Sequence, residues 1–197
     1  MAYGMLIDKF KCIFCHGCSM ACKATNGTPQ GVLRSRVIRT TEGTYPSVKS
    51  EFTPMLCMQC AVPICVEVCP TEASYTADNG LVLINKEECI GCQSCVLACA
   101  YGARYLTDLS TGYNGGNFNE YEEAAYGNMI DGTVDKCDFC YSRTKEGEIP
   151  QPACIAACKV EARIFGDLDE ISSLAKSENA TQMLPENEPS VYYVNSR

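Results

Sequence analysis

The stretch CMQCAVPICVEVCPTEASYTADNGLVLINKEECIGCQSCVLAC, Cys57 to Cys99, sets eight cysteines in two groups of four. The first group, Cys57, Cys60, Cys65 and Cys69, is spaced C-x2-C-x4-C-x3-C and is followed at once by Pro70. The second, Cys89, Cys92, Cys95 and Cys99, is spaced C-x2-C-x2-C-x3-C. In each group three thiols lie on a segment short enough to curl around one centre. The fourth falls about one helical turn beyond the third and points elsewhere.

The second spacing is that of bacterial ferredoxins, in which three cysteines and the fourth of the neighbouring group hold one [4Fe–4S] cluster. Two such groups therefore ligate two cubanes crosswise. On that rule cluster C takes Cys57, Cys60, Cys65 and Cys99, and cluster D takes Cys69, Cys89, Cys92 and Cys95.

Two further quartets flank this pair. Cys12, Cys15, Cys18 and Cys22 repeat the ferredoxin spacing, and Cys137, Cys140, Cys154 and Cys158 carry the same pattern with thirteen residues between second and third members. Lys11-Cys12-Ile13-Phe14-Cys15 matches Lys136-Cys137-Asp138-Phe139-Cys140, and Cys22-Lys23 matches Cys158-Lys159, so the outer quartets are siblings. The crosswise rule gives cluster A Cys12, Cys15, Cys18 and Cys158, and cluster B Cys22, Cys137, Cys140 and Cys154. The two ends of the chain must then meet. The expected fold class is α+β, with two interlocked bacterial-ferredoxin-like halves, each holding two [4Fe–4S] clusters, built from short strands, short helices and long loops. Residues 1–50 with 133–166 form the outer half and 51–108 the central half. An irregular insertion spans 109–132, and a helix and tail span 167–197.

The composition supports a metal reading. Sixteen cysteines are about 8% of 197 residues, and metal cross-links let a small apolar core suffice. Disulfides would need facing pairs rather than groups of four. Zinc favours two C-x2-C pairs or mixed Cys/His sets, and the chain has one histidine, His16. His16 lies between two cysteines of a complete quartet and is expected to be exposed and not a ligand. The formal charge is −8, and four oxidised cubanes would take it to about −16, a sign that disfavours nucleic acid.

Outside the quartets, Tyr3 to Asp8 is expected to be a strand, and its lead-in GMLIDKFKC (Gly4 to Cys12) recurs as GLVLINKEEC (Gly80 to Cys89). Val32 to Thr40 reads as a half-buried strand with Arg34, Arg36 and Arg39 facing solvent or a partner. Thr41 to Pro54, with turn residues Gly43, Pro46 and Pro54, reads as a link. Leu81 to Asn85 and Ala103 to Leu106 are expected to be strands of the central unit. Leu109 to Gly132 has neither period and reads as an irregular insertion suited to partner contact. Arg163 to Gly166 reads as a closing strand, and Asp167 with Glu170 as a capping box for a helix to Lys176. The tail with Pro185 and Pro189 reads as irregular. Phe14 and Phe139 are placed to pack over clusters, and Lys11, Lys23, Lys136 and Lys159 to raise cluster potentials by their charge.

No P-loop, Rossmann fingerprint, zincin motif or nucleophile elbow is present, so the chemistry in view is single-electron movement and no catalytic residue is assigned. No stretch reaches the length of a spanning helix, and the start lacks the pattern of a signal peptide or twin-arginine leader. Attachment or export is therefore expected to come through another subunit.

The four quartets in this order resemble the iron–sulfur, electron-transfer subunits of the dimethyl sulfoxide reductase superfamily of molybdopterin oxidoreductases, from Gly4 to Gly166. Within it, TTEGTYPSVKSEFTPMLCMQC, Thr40 to Cys60, is most similar to the respiratory arsenate reductase branch. The resemblance implies four [4Fe–4S] clusters and a large catalytic partner carrying molybdenum or tungsten bis-molybdopterin guanine dinucleotide. It also implies a quinol-oxidising membrane subunit or soluble donor, and a place at the extracytoplasmic face reached by co-export with a signal-bearing partner. A cytoplasmic location is the alternative. A free polyferredoxin carrier, or a cluster subunit of a hydrogenase or formate dehydrogenase, is the alternative function.

Overall fold

The computed structural model describes residues 2–110, 112–115, 117–127, 129–145 and 148–195. Strand β1 (Tyr3–Asp8) leads into helix α1 (Gly17–Asn26), followed by β2 (Arg36–Thr44) and β3 (Ser47–Met55). The central segment holds α2 (Ile64–Glu67), β4 (Ser74–Thr76), β5 (Val82–Ile84), α3 (Ser94–Leu97) and β6 (Arg104–Leu106). The remainder holds α4 (Glu120–Tyr126), β7 (Val134–Lys136), α5 (Ala153–Ala156), β8 (Arg163–Asp167), α6 (Leu168–Ser177), β9 (Ala180–Gln182) and β10 (Val191–Val194). The elements are short and mixed, as a cysteine-rich ferredoxin-like chain leads one to expect.

The main sheet has the order β8-β1-β10-β9. All six residues of β1 are buried, because the sheet is covered on both faces. Leu6 faces Ile171, Ala175 and Val194 under α6, while Met5 and Ile7 face the main core with Val191 and Tyr193. Gly4 lets α6 approach, since a Cβ there would stand 2.9 Å from Leu168 Cδ1 and 3.1 Å from Ser190 O.

The tail read as irregular is instead part of this sheet. Strand β10 pairs parallel to β1, with Met5 opposite Val191 and Asp8 opposite Val194. The alternation in Val191-Tyr192-Tyr193-Val194 supports a strand, but the flanking prolines obscure it. The segment before β10 lies along the second quartet: Ser190 N–H donates to Met58 O at 2.9 Å and Ala61 N–H to Glu188 O at 2.9 Å. The Tyr193 hydroxyl donates to Pro54 O at 2.9 Å, and the Tyr101 hydroxyl to Met183 O at 2.9 Å. One hydrophobic core thus draws Met5 and Tyr193 from the sheet together with Met55, Met58, Leu81 and Tyr101.

Thr41 to Pro54 is not a link but most of a hairpin. Strands β2 and β3 pair without interruption from Arg36 opposite Met55 to Thr44 opposite Ser47. Gly43 and Pro46 mark its tip, and Pro54 is tolerated because a two-stranded ribbon has only edges. Arg34 and Arg36 turn inward rather than outward. Arg36 donates to Tyr101 O and Gly102 O at 2.7 and 2.9 Å, while Arg39 stays exposed beside Ser50.

The insertion 109–132 also departs from expectation, since it carries α4. Asn119 and Glu122 form a capping box, each side chain accepting from the other's backbone N–H at 3.0 and 3.1 Å. Buried Glu122 also accepts from Tyr113 N–H at 2.8 Å. The helix rests on the end of α1, where a Cβ at Gly27 would meet Ala125 O at 2.7 Å. At α6 the cap is simpler than a box: Asp167 accepts from Asp169 N–H at 2.9 Å.

Strands β4 and β5 pair with each other, whereas β6 pairs with β7, so the strand after the third quartet is bonded to the strand before the fourth. At that seam Asp135 of β7 binds Arg34, Lys86 Nζ at 3.0 Å and the Tyr105 hydroxyl at 2.7 Å. Burial pushes the Asp135 carboxyl up, but Arg34 and Lys86 outweigh it and hold it below the usual range. Replacing Asp135 by Asn leaves Lys86 without its carboxylate and Arg34 with only the longer contact to Asp138 Oδ1 at 3.8 Å, and is expected to cost about 3–5 kcal/mol, read as a lower denaturation midpoint. Because the folded carboxyl has the lower pKa, its contribution is complete above about pH 4 and fades as pH falls through the folded value; D135N should flatten that acid limb.

Candidate metal centres

All four quartets share one backbone device. The residue before the second cysteine takes left-handed φ in every case: Phe14 at 59°, Gln59 at 47°, Gly91 at 67° and Phe139 at 57°. Three of the four are not glycine, and such residues hold this conformation only where the surroundings over-determine it. A left-handed residue within a turn gathers successive backbone N–H groups on one side, which suits an anion. At Gly91 a side chain is excluded outright, because a Cβ would run into Gly132 O.

Each loop then enters a helix that carries the third cysteine: Cys18 on α1, Cys65 on α2, Cys95 on α3 and Cys154 on α5. The fourth cysteine of each quartet accepts a hydrogen bond from just beyond itself. Ser74 N–H donates to Cys69 Sγ at 3.4 Å, Ala103 N–H to Cys99 Sγ at 3.4 Å and Ala162 N–H to Cys158 Sγ at 3.3 Å. Cys22 Sγ is served instead by Asn26 Nδ2 at 3.5 Å. Donors on sulfur stabilise thiolate.

None of the sixteen cysteines is joined in a disulfide. Burial, then neighbouring Cys57, Cys65 and Cys99, push the Cys60 thiol up to about 12. Burial and Cys154, opposed by Arg34 and reinforced by Cys140, push Cys22 up to about 11. Cys137 is raised by burial, Asp138, Cys154 and Cys22. Cys12 is raised by burial with Cys18 and Cys15 beside it, whereas Cys92 is lowered by hydrogen bonding with Ser94 against the opposing charge of nearby Cys69. Fourth cysteines thus stand beside the partner quartet at Cys22, Cys69 and Cys99. Near Cys158, Ala157 O lies 3.5 Å from where a Gly17 Cβ would sit, beside Cys15 Sγ.

Thiol-only donors that repel one another when ionised fit a polynuclear iron–sulfur centre, whose iron neutralises them. Among the described residues no three His, Cys, Asp or Glu side chains close on the position of a single ion. Four thiolates at the corners of a cubane stand further apart than ligands around one ion. A second sign is an orphan: Arg163 Nη1 is buried without a hydrogen-bond partner, where inorganic sulfide would be an acceptor.

The sequence reading passed over two deeply buried arginines. Arg104 donates to Cys65 Sγ at 3.0 Å and to Ser74 Oγ at 2.7 Å, and Arg163 to Cys18 Sγ at 3.5 Å. The signal was available, since Cys99 to Arg104 reads CAYGAR and Cys158 to Arg163 reads CKVEAR, a shared C-x3-A-R. The lysines differ. Lys136 is buried and donates to Cys137 O at 2.9 Å, whereas Lys23 is engaged by Thr28 O and Pro29 O at 2.8 and 2.6 Å, and Lys11 and Lys159 are exposed. Phe139 is fully buried against Phe165 and Phe14 stacks on Phe52. His16 is half-buried rather than exposed, its ring 4.4 Å from that of Phe14. Gln59 is a further missed residue: it donates to Cys137 O at 3.0 Å and accepts from Val82 N–H at 2.8 Å, tying the second quartet to the fourth.

Comparison with known proteins agrees with this donor set. Residues 48–114 match the family model of the 4Fe-4S dicluster domain. The chain is 39% identical to the arsenate respiratory reductase iron-sulfur subunit ArrB of Shewanella sp. strain ANA-3, over all of this chain and 97% of that protein. It is 36% identical to a putative iron-sulfur subunit of dimethyl sulfoxide reductase from Halobacterium salinarum, over 98% of this chain and 79% of that protein. With a tetrathionate reductase subunit of Salmonella typhimurium the identity is 35%, over 98% and 72%. The chain belongs to the iron–sulfur electron-transfer subunits of the molybdopterin oxidoreductases.

Proposed function

We propose that the chain holds four [4Fe–4S] clusters and relays single electrons between a molybdopterin catalytic subunit and a quinol-oxidising membrane subunit or soluble donor. Cluster A is assigned to Cys12, Cys15, Cys18 and Cys158, and cluster B to Cys22, Cys137, Cys140 and Cys154. Cluster C is assigned to Cys57, Cys60, Cys65 and Cys99, and cluster D to Cys69, Cys89, Cys92 and Cys95. The observation that carries the assignment is the company kept by the fourth cysteines, above all Cys99 among Cys57, Cys60 and Cys65. When bound, each cubane takes up and releases one electron.

The chain's own residues supply binding, order and shielding. Three contacts between sets support a linear order. Cys18 stands by Cys154, linking A to B, and Cys57 by Cys137, linking B to C. Arg104 lies near both Cys65 and Cys95, linking C to D. The seam at Asp135 and the bridge of Gln59 hold the outer and central halves in register across the B–C step. Phe139 and the shared core keep water from the inner thiols.

No side chain here is assigned a catalytic role, and the substrate is left to the partner. Relatives named for arsenate, dimethyl sulfoxide and tetrathionate lie between 35% and 39% identity, so choice of substrate is not a property to which this chain's similarity responds. Membrane contact is assigned to a partner subunit at the extracytoplasmic face, a reading supported by the likeness to subunits of respiratory reductases; among the described residues no helix is long and apolar enough to cross a membrane.

Purified without oxygen from its own host, the tagged protein should carry about sixteen irons per chain with about one molybdenum or tungsten in the co-purifying complex. Full iron without either metal would move the assignment to a free carrier, and zinc in place of iron would end it. The crosswise pairing has its own check. Cys60→Ser and Cys99→Ser should extinguish or shift the same electron paramagnetic resonance signal, while Cys95→Ser alters a different one; loss of one signal by Cys95→Ser and Cys99→Ser together would restore in-line ligation.

A further inference from the structure

Arg104 and Arg163 occupy equivalent places in the two halves. Each is the first residue of its strand, β6 or β8, five positions after the fourth cysteine of its quartet. Each follows a buried alanine whose N–H binds that fourth cysteine, Ala103 on Cys99 and Ala162 on Cys158. The pair of contacts fixes where each guanidinium begins. Both are deeply buried, Arg104 at 5% and Arg163 at 3% exposure.

Both guanidinium groups reach across to the partner quartet and end on its third cysteine. Arg104, after the third quartet, donates to Cys65 of the second; Arg163, after the fourth, donates to Cys18 of the first. Each also lies within interaction range of the third cysteine of its own quartet, Cys95 for Arg104 and Cys154 for Arg163. Under the assignment above, Cys65 and Cys95 belong to clusters C and D, and Cys18 and Cys154 to A and B. One cation therefore stands between the two clusters of each half. The equivalent turns after the first and second quartets carry Gly27 and Ser74 instead, so each half has one such arginine.

We infer that Arg104 and Arg163 are matched electrostatic bridges that raise the reduction potentials of two neighbouring clusters at once, Arg104 those of C and D and Arg163 those of A and B. The inference rests on the four-cluster reading. An electron arriving on either cluster adds negative charge beside a buried cation, and arginine cannot shed its proton to escape the burial. Charge and hydrogen bonds to sulfur are both terms that set cluster potential. Among the described residues the hydrogen-bond partners of Arg104 are Ser74 and a thiol, Cys65, and that of Arg163 is the Cys18 thiol, with Nη1 left without a partner. These are positioning residues, acting through the clusters rather than on a substrate.

The test is a redox titration of the whole complex, followed by electron paramagnetic resonance, with iron counted in every sample. In Arg104→Met two of the four midpoint potentials should fall and the other two hold; in Arg163→Met the complementary pair should fall. Arg104→Lys and Arg163→Lys, which restore charge, should bring the potentials back toward the wild-type values. A fully loaded Met variant with unmoved potentials overturns the inference, as does a loaded Lys variant that shifts as far as Met, or both Met variants moving the same pair. Should a Met variant lose its clusters, the loaded Lys variant decides alone: unshifted potentials support the bridge and a full downward shift refutes it. Wild-type protein lacking iron for four clusters would instead defeat the reading beneath.

Discussion

Thiolates buried side by side repel one another, and in a low-dielectric interior that repulsion is not screened. This chain sets sixteen cysteines in groups of four, six of them buried and eight half-buried, so their thiolates call for counter-charge. The fold answers with two kinds of device. Local ones are the left-handed loop residues and the N–H donors beyond each fourth cysteine, which act within a quartet. Longer-range ones are the buried arginines, Lys136 and the seam around Asp135, which act between quartets. Iron completes the neutralisation in the assignment proposed, so the protein's cations and its metal share one task.

That constraint also explains why the elements are so short. Helices α2, α3 and α5 run for a single turn, too brief to be stable alone, and serve to place one thiol and aim the next. Strands β4 to β7 are three residues each, and only β7 is buried throughout. Conventional packing is concentrated instead where the chain ends meet, in the β8-β1-β10-β9 sheet with α6 across it. The sheet holds the first and last quartets together much as the Gln59 bridge and the Asp135 seam hold the last to the middle pair.

Cysteine spacing made the four loop-and-helix units legible, because each is local in sequence. So were β1, β8 and α6, each with a period or a cap that tertiary context did not override. Turn residues misled where they were read without pairing partners: Gly43, Pro46 and Pro54 belong to a hairpin whose register only the opposite strand reveals. Helix α4 was missed although Asn119 and Glu122 spell a capping box, since the surrounding Gly and Asn dilute the pattern. Strand β10 was missed because a four-residue strand earns its place from β1, nearly the whole chain away. Arg104 and Arg163 escaped because a buried cation looks in sequence like any surface arginine; only the repeated C-x3-A-R gives it away.

The parallel pairing of β1 with β10 has a consequence for biosynthesis. Strand β1 leaves the ribosome well before its neighbour β10, which lies about 180 residues further along, so β1 waits roughly ten to forty seconds at ordinary elongation rates before its sheet can close. Throughout that interval Met5 and Ile7 lack their cover, and for most of it Cys22 lacks Cys154. On the ligand sets proposed, the central pair of quartets can gather its thiols while synthesis continues, but the outer pair can do so only once Cys154 and Cys158 have been made. Maturation of this protein is thus divided in time by its topology, with the middle able to mature early and the ends obliged to mature late.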